Sequence, residues 1–196
     1  MRRLPRFPGF PDARIRSIGT CYQFLARSVL YQQLATKAAA TIHGRVCALT
    51  PGKRFPTPEE LGDLTDEELR SAGLSRNKLA SLRDLAAHVR DGRLRFARIA
   101  RLADDAAIDE LTVVRGIGVW TAQMFLIFRL GRLDVVSEGD LGVQEGLRVL
   151  DGLDERPGPK EPLERAEAWR PLRSVATWWM WRIVDEHRAA QQSAGS

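Results

Sequence analysis

Leu111-Thr-Val-Val-Arg-Gly-Ile-Gly-Val-Trp-Thr-Ala122, followed by Gly139-Asp-Leu-Gly142, is the stretch on which the reading of this chain turns. The first segment reads as the end of a helix, a Gly-Ile-Gly hairpin and the start of a second helix. The second segment reads as a carboxylate at the head of a third. Gly116 and Gly118 permit positive φ and a close backbone approach, while Ile117 between them plugs into the core. Amides from about Gly118 to Trp120 then face a phosphate oxygen, aided by the helix dipole. An ordinary αα-turn with a glycine stop would use the same residues, and Asp140 is equally suited to capping a helix that starts at Leu141.

Outward from the hairpin, helix start and stop signals recur and strand-like alternation is almost absent. One long helix is predicted from about Thr20 to Leu49, with Phe24, Leu25, Leu30, Leu34, Ala38, Ile42 and Val46 mostly three or four apart. Thr57-Pro-Glu-Glu60 and Thr65-Asp-Glu-Glu68 have the spacing of capping boxes. Leu79, Leu82, Ala86 and Val89 line one face of the next helix, and Asp91-Gly92 stops it. Asp104 is read as the cap of the helix leading into the hairpin, and the helix after it is expected from about Val119 to Leu130, with Gly131 as its stop. A helix from Leu141 to Leu150, a loop from Asp151 to Pro162 and a last helix from near Pro171 follow; that helix stacks Leu172, Val175, Ala176, Trp179 and Ile183 in one stripe. The fold class is all-α.

At 196 residues, 44% hydrophobic and 28% charged, the chain can bury a core as one large domain or two small helical lobes. A net charge of +5, with arginine far outnumbering lysine, suits a phosphate-bearing partner without demanding one. Cys21 and Cys47 cannot supply the four thiolates of a cysteine-ligated iron–sulfur cluster or a four-cysteine zinc site. His43, His88 and His187 show no metal-ligand spacing. Met1-Arg-Arg3 runs into prolines rather than an apolar stretch and no apolar run approaches 18 residues, so neither a secretion signal nor a membrane span is expected; with Cys21 and Cys47 read as reduced core residues, the cytoplasm is the expected compartment.

Gly-Ile-Gly-x-Trp-Thr-Ala, Leu130-Gly-Arg-Leu-Asp134-Val-Val and Gly139-Asp-Leu-Gly142 together resemble the helix-hairpin-helix DNA glycosylases, within them the alkylpurine or 3-methyladenine DNA glycosylase II branch. Leu30-Tyr-Gln-Gln-Leu-Ala-Thr-Lys-Ala-Ala39, Gly73-Leu-Ser-Arg-Asn-Lys78 and Trp169-Arg-Pro-Leu-Arg-Ser-Val-Ala176 are similar to the same group, in the same order. The resemblance implies two small helical lobes around a central cleft within residues 1–190; a known relative carries an extra N-terminal β domain, and with 196 residues this chain is not expected to hold one. One lobe covers about 20–130 and contains the hairpin at 107–130; the other combines the N-terminal segment with about 134–190, and 191–196 form a flexible tail.

It further implies a base excision enzyme that turns an alkylated purine out of double-stranded DNA, with Asp140 as the catalytic carboxylate. Trp120, Met124 and Trp181 become the walls of the base pocket, although tryptophans at helical spacing also serve as core. Phe7 and Phe10 are further candidates to close it. Gln33 is placed to fill the gap left in the stack, although a polar residue simply exposed on the first long helix reads the same; Gly116 and Gly118 are expected to contact DNA through the backbone, and Arg115, Lys78, Arg76, Asn77 and Lys37 are candidates for phosphate contact that solvated basic turns explain almost as well. Asp134 reads as an ion-pair partner and Glu138 as a loop residue. Where the lyase branch has the Schiff-base lysine, this chain has Trp120, so a monofunctional enzyme with water as nucleophile is expected. No iron–sulfur cluster is expected; a structural monovalent cation on the hairpin backbone near Gly116 and Gly118 is, and a monomer is. Two alternatives stay open: a glycosylase of this fold for another lesion, and a non-catalytic helix-hairpin-helix module that only docks on DNA.

Overall fold

The computed structural model describes residues 19–137, 139–158 and 160–194; Phe7, Phe10 and Glu138 lie outside them. All regular elements among the described residues are helical, and no helix there is long and apolar enough to cross a membrane. The described residues fall into two compact units, one through Phe125 and one from Leu126.

The first unit opens with α1 (Cys21–Tyr31) and α2 (Thr36–Ala48). Sequence periodicity predicts one helix here, and the structure corrects this to two. Gln33 lies at φ 56, in the left-handed region, and breaks the ladder. A helix leaves its last carbonyls without intrahelical partners. Here the Lys78 ammonium takes the carbonyls of Val29, Leu30 and Gln32, each at 2.8 Å. The apolar spacing runs on across the break because both helices bury a stripe, so spacing alone does not reveal it.

Helices α3 (Pro58–Asp63) and α4 (Asp66–Ser71) carry the expected capping boxes from Thr57 and Thr65. The longer α5 (Arg76–Arg90) buries Leu79, Leu82, Leu85 and Ala86. Its Arg83 guanidinium donates to the carbonyls of Leu61, Gly62 and Leu64, tying α3 and its exit to α5. After the short α6 (Phe96–Ile99) comes α7 (Asp104–Thr112), whose N-cap is Ala103 rather than the expected Asp104. The hairpin leads to α8 (Val119–Met124), and Phe125–Arg129 form a π-type turn where an uninterrupted helix was expected.

The second unit is built on α9 (Leu141–Asp151) and α11 (Arg173–Ala194), with α10 (Glu161–Ala166) between them, partly in the stretch read as loop. Val143 and Leu147 of α9 share a core with Met180 and Ile183 of α11. The buried stripe of α11 shares Ile183 with the one expected from sequence but is otherwise shifted. Ser174, Thr177, Met180 and Val184 face inward, whereas Leu172 is 42% exposed. The cause is a close crossing: a Cβ on Gly146 would lie 2.6 Å from both Cβ and the carbonyl oxygen of Met180. Small residues and a flexible methionine permit that approach better than Trp179 would. Residues 191–194, assigned from sequence to a flexible tail, continue α11, where Gln191 pairs with His187 at 2.9 Å.

Gly146→Ala is therefore expected to overpack the crossing and cost about 1–3 kcal/mol, read as a lower urea midpoint at unchanged slope.

Candidate functional site

Asp140 is the N-cap of α9 and is 8% exposed. Its Oδ1 accepts from the amides of Gly142 at 2.7 Å and Val143 at 3.0 Å, and from the Trp181 indole Nε1 at 2.9 Å. Three donors from two helices converge on one oxygen, which fixes the orientation of the whole carboxylate. Trp181 approaches because residue 142 has no side chain: a Cβ there would sit 2.7 Å from Trp181 Cδ1. The other glycine of the motif, Gly139, meets open space. Trp181 also stacks on Phe128, with ring centroids 5.8 Å apart and planes 24° apart, and Trp178 lies edge-on to both rings. Phe128 and Trp178 are therefore aromatic neighbours that sequence reasoning missed. A helical wheel for α11 could have suggested Trp178; nothing local in the sequence marks Phe128.

The loop entering Asp140 is clamped to the start of α11. Ser174 N donates to Leu133 O at 2.9 Å, and the Ser174 hydroxyl lies 3.0 Å from Val135 N, as acceptor, and 3.2 Å from Val135 O. Asp134 accepts from Arg173 Nε at 2.8 Å and from Arg170 Nη1 at 3.1 Å. Desolvation works to raise the Asp134 carboxyl, but hydrogen bonds and charge from Arg173 and Arg170 outweigh it and hold the group below the ordinary aspartate value.

The hairpin belongs to the other unit. Gly116 adopts φ 80, and a Cβ there would strike Ser81 Oγ of α5. Gly118 does not need a positive φ. It is the N-cap of α8 at φ −90, and a Cβ there would meet nothing within 4 Å. Ile117 is 3% exposed and anchors the turn. Asp84 Oδ2 accepts the Arg115 amide at 2.7 Å, and Gln32 Nε2 donates to the Gly116 carbonyl at 2.9 Å. Beside the turn lies a concavity of ≈ 390 Å³, bordered by Gln33, Asn77, Lys78, Ser81, Arg115 and Gly116.

The residues expected at a functional site are thus placed unequally. Arg115 is exposed, its guanidinium 3.5 Å from Asn77 Oδ1, and Gln33 is exposed at the rim of the concavity. Arg76 and Lys37 are exposed. Trp120 is 50% exposed in the first turn of α8. Met124 is 6% exposed, and α8 is buried around most of its circumference there, at Thr121, Ala122, Gln123 and Met124. Lys78 directs its three N–H groups at three carbonyls ending α1, so its ammonium is engaged by the break between α1 and α2, and burial lowers its pKa. Among the described residues no group of three or more His, Cys, Asp and Glu could hold a metal ion. Asp84 and Gln32, the two side chains that hold the hairpin backbone, were not anticipated from sequence.

Residues 26–171 match the model of the HhH-GPD superfamily base excision DNA repair proteins. The chain belongs to this superfamily. It falls with the 3-methyladenine glycosylase branch. DNA-3-methyladenine glycosylase 1 of Schizosaccharomyces pombe is 38% identical over 162 residues, covering 82% of this chain and 71% of that protein. Among solved structures, DNA-3-methyladenine glycosidase of Bacillus halodurans is 39% identical with a TM-score of 0.77, covering 91% of this chain and 78% of the other. The S. pombe 3-methyladenine DNA glycosylase in complex with abasic DNA is 35% identical with a TM-score of 0.79, covering 90% and 85%.

Arg115→Gln is expected to reduce the salt dependence of duplex binding by about one phosphate's worth, a change of roughly 0.9 in the slope of log K against log salt. Lys78→Met should leave that slope unchanged and instead lower unfolding stability by about 2 kcal/mol, because charged hydrogen bonds to three carbonyls are lost. Salt titrations and urea melts of both variants separate the two roles.

Proposed function

We propose that this chain is a monofunctional alkylpurine DNA glycosylase. It turns a 3- or 7-alkylated purine out of double-stranded DNA and hydrolyses the N-glycosidic bond with water. The observation that carries the reading is Asp140: a carboxylate oriented by three donors, beside the Trp181–Phe128 stack, at the head of α9.

The chemistry follows from charge. Alkylation at N3 or N7 makes the purine cationic, so an electron-rich aromatic face attracts it over the normal base. The same charge makes the base a good leaving group without a general acid. As the C1′–N bond breaks, its electron pair neutralises the base and positive charge develops on the sugar. A carboxylate about 4 Å from that charge contributes roughly 4 kcal/mol at an effective dielectric near 20, on the order of a thousandfold in rate. Water then bonds to C1′ and gives up its proton, with Asp140 as the base.

The hairpin unit supplies the grip on DNA: α8 opens with amides that have no intrahelical acceptor, and bare Gly118 leaves them approachable. Gln33 fills the stack after the nucleotide leaves, which its exposed, left-handed position supports. A monovalent cation on backbone carbonyls near Gly116 and Gly118 belongs to the same reading. Those oxygens already accept from Gln32 Nε2 and Ala122 N, and each keeps a second lone pair for an alkali ion.

Asp140→Asn is expected to lower release of 3-methyladenine or 7-methylguanine from methylated duplex by about a thousandfold, with lesion binding retained; near wild-type release would refute Asp140 as the catalytic carboxylate. Trp120 stands where a Schiff-base lysine would be, so borohydride should trap no enzyme–DNA adduct. Efficient trapping in a denaturing gel would refute water as the nucleophile.

A further inference from the structure

Gln32 ends α1 and sits next to Gln33, yet its side chain turns away from the chain break and reaches the hairpin. Its Nε2 donates to the carbonyl of Gly116 at 2.9 Å and lies 3.3 Å from Thr121 Oγ1, spanning 84 and 89 residues of sequence. Its own carbonyl is one of the three held by Lys78. Gln33 is therefore bracketed: the residue before it is pinned through the main chain to α5 and through the side chain to the hairpin. Its φ of 56 is a conformation that residues other than glycine adopt where surroundings hold them in place.

We propose that Gln32 is a positioning residue that locks the Gln33 turn to the hairpin backbone, so that gripping the phosphate and filling the opened stack occur in one rigid register. The inference rests on the glycosylase reading above and deepens it. A glutamine suits this task because its amide nitrogen carries two N–H groups, one for the Gly116 carbonyl and one for the Thr121 hydroxyl. The link makes no contact with the reacting bond, so its loss is felt where stack opening limits the rate.

The test compares single-turnover release of 7-methylguanine from a paired duplex and from the same strand with the lesion in a single-nucleotide bulge, where less unpairing and unstacking is needed. Gln32→Met and Gln32→Glu keep the side-chain length and remove the donor. Each is expected to slow release from the paired duplex about tenfold and from the bulge less than about twofold, with the apparent affinity for undamaged duplex little changed. In a Gln33→Ala background, Gln32→Met should add nothing, since both substitutions disable the same device. If either Gln32 variant melts below the assay temperature, Thr121→Val cuts one end of the same link and should give a smaller effect with the same preference for the paired substrate. Equal slowing on both substrates, additivity with Gln33→Ala, or no slowing on the paired duplex each overturns the proposal. A wild-type chain that releases base from neither substrate overturns the glycosylase reading and this link with it.

Discussion

A tight hairpin between two helices cannot pair its polar backbone groups in regular hydrogen-bonded structure, so each group facing the protein needs a side-chain partner. In this chain the partners come from α1 and α5. Asp84 accepts the Arg115 amide, Gln32 donates to the Gly116 carbonyl, and Gly116 fits against Ser81 because it has no Cβ. The helix breaks and caps nearby follow from the same need. Lys78 satisfies the end of α1, which frees the chain to turn through Gln33 and restart as α2.

The same economy governs the unit that carries Asp140. Two glycines one turn apart, Gly142 and Gly146, let α9 meet α11 closely enough for Trp181 to reach the capping aspartate. Three donors on Oδ1 leave the Asp140 carboxylate little rotational freedom, so the cap is held from two helices at once. Ser174 and Arg173 secure the loop from the other side, so the start of α11 and its middle both set where Asp140 lies.

The positive charge of the chain divides along physical lines. Lys78 and Arg83 are spent on helix-terminal carbonyls, and Arg173 and Arg170 on Asp134. Arg115 remains exposed at the hairpin. Net charge therefore overstates the surface available to a polyanion, because a cationic side chain with several N–H groups is also an effective cap for orphaned carbonyls.

The sequence alone determined the all-α class, the hairpin, the capping boxes and Asp140 at a helix start, since these depend on residues within a few positions of one another. Resemblance in the order of motifs was enough to reach the superfamily. Only tertiary structure decided that the helix expected over 20–49 is two, that Met124 is core, that Lys78 closes a helix, that Trp181, stacked on Phe128, reaches Asp140, and that Gln32 and Asp84 hold the hairpin backbone. Those outcomes rest on contacts between segments 31 to 89 residues apart. Periodicity reports which face of a helix is buried; what satisfies a buried polar atom depends on which distant element packs against it.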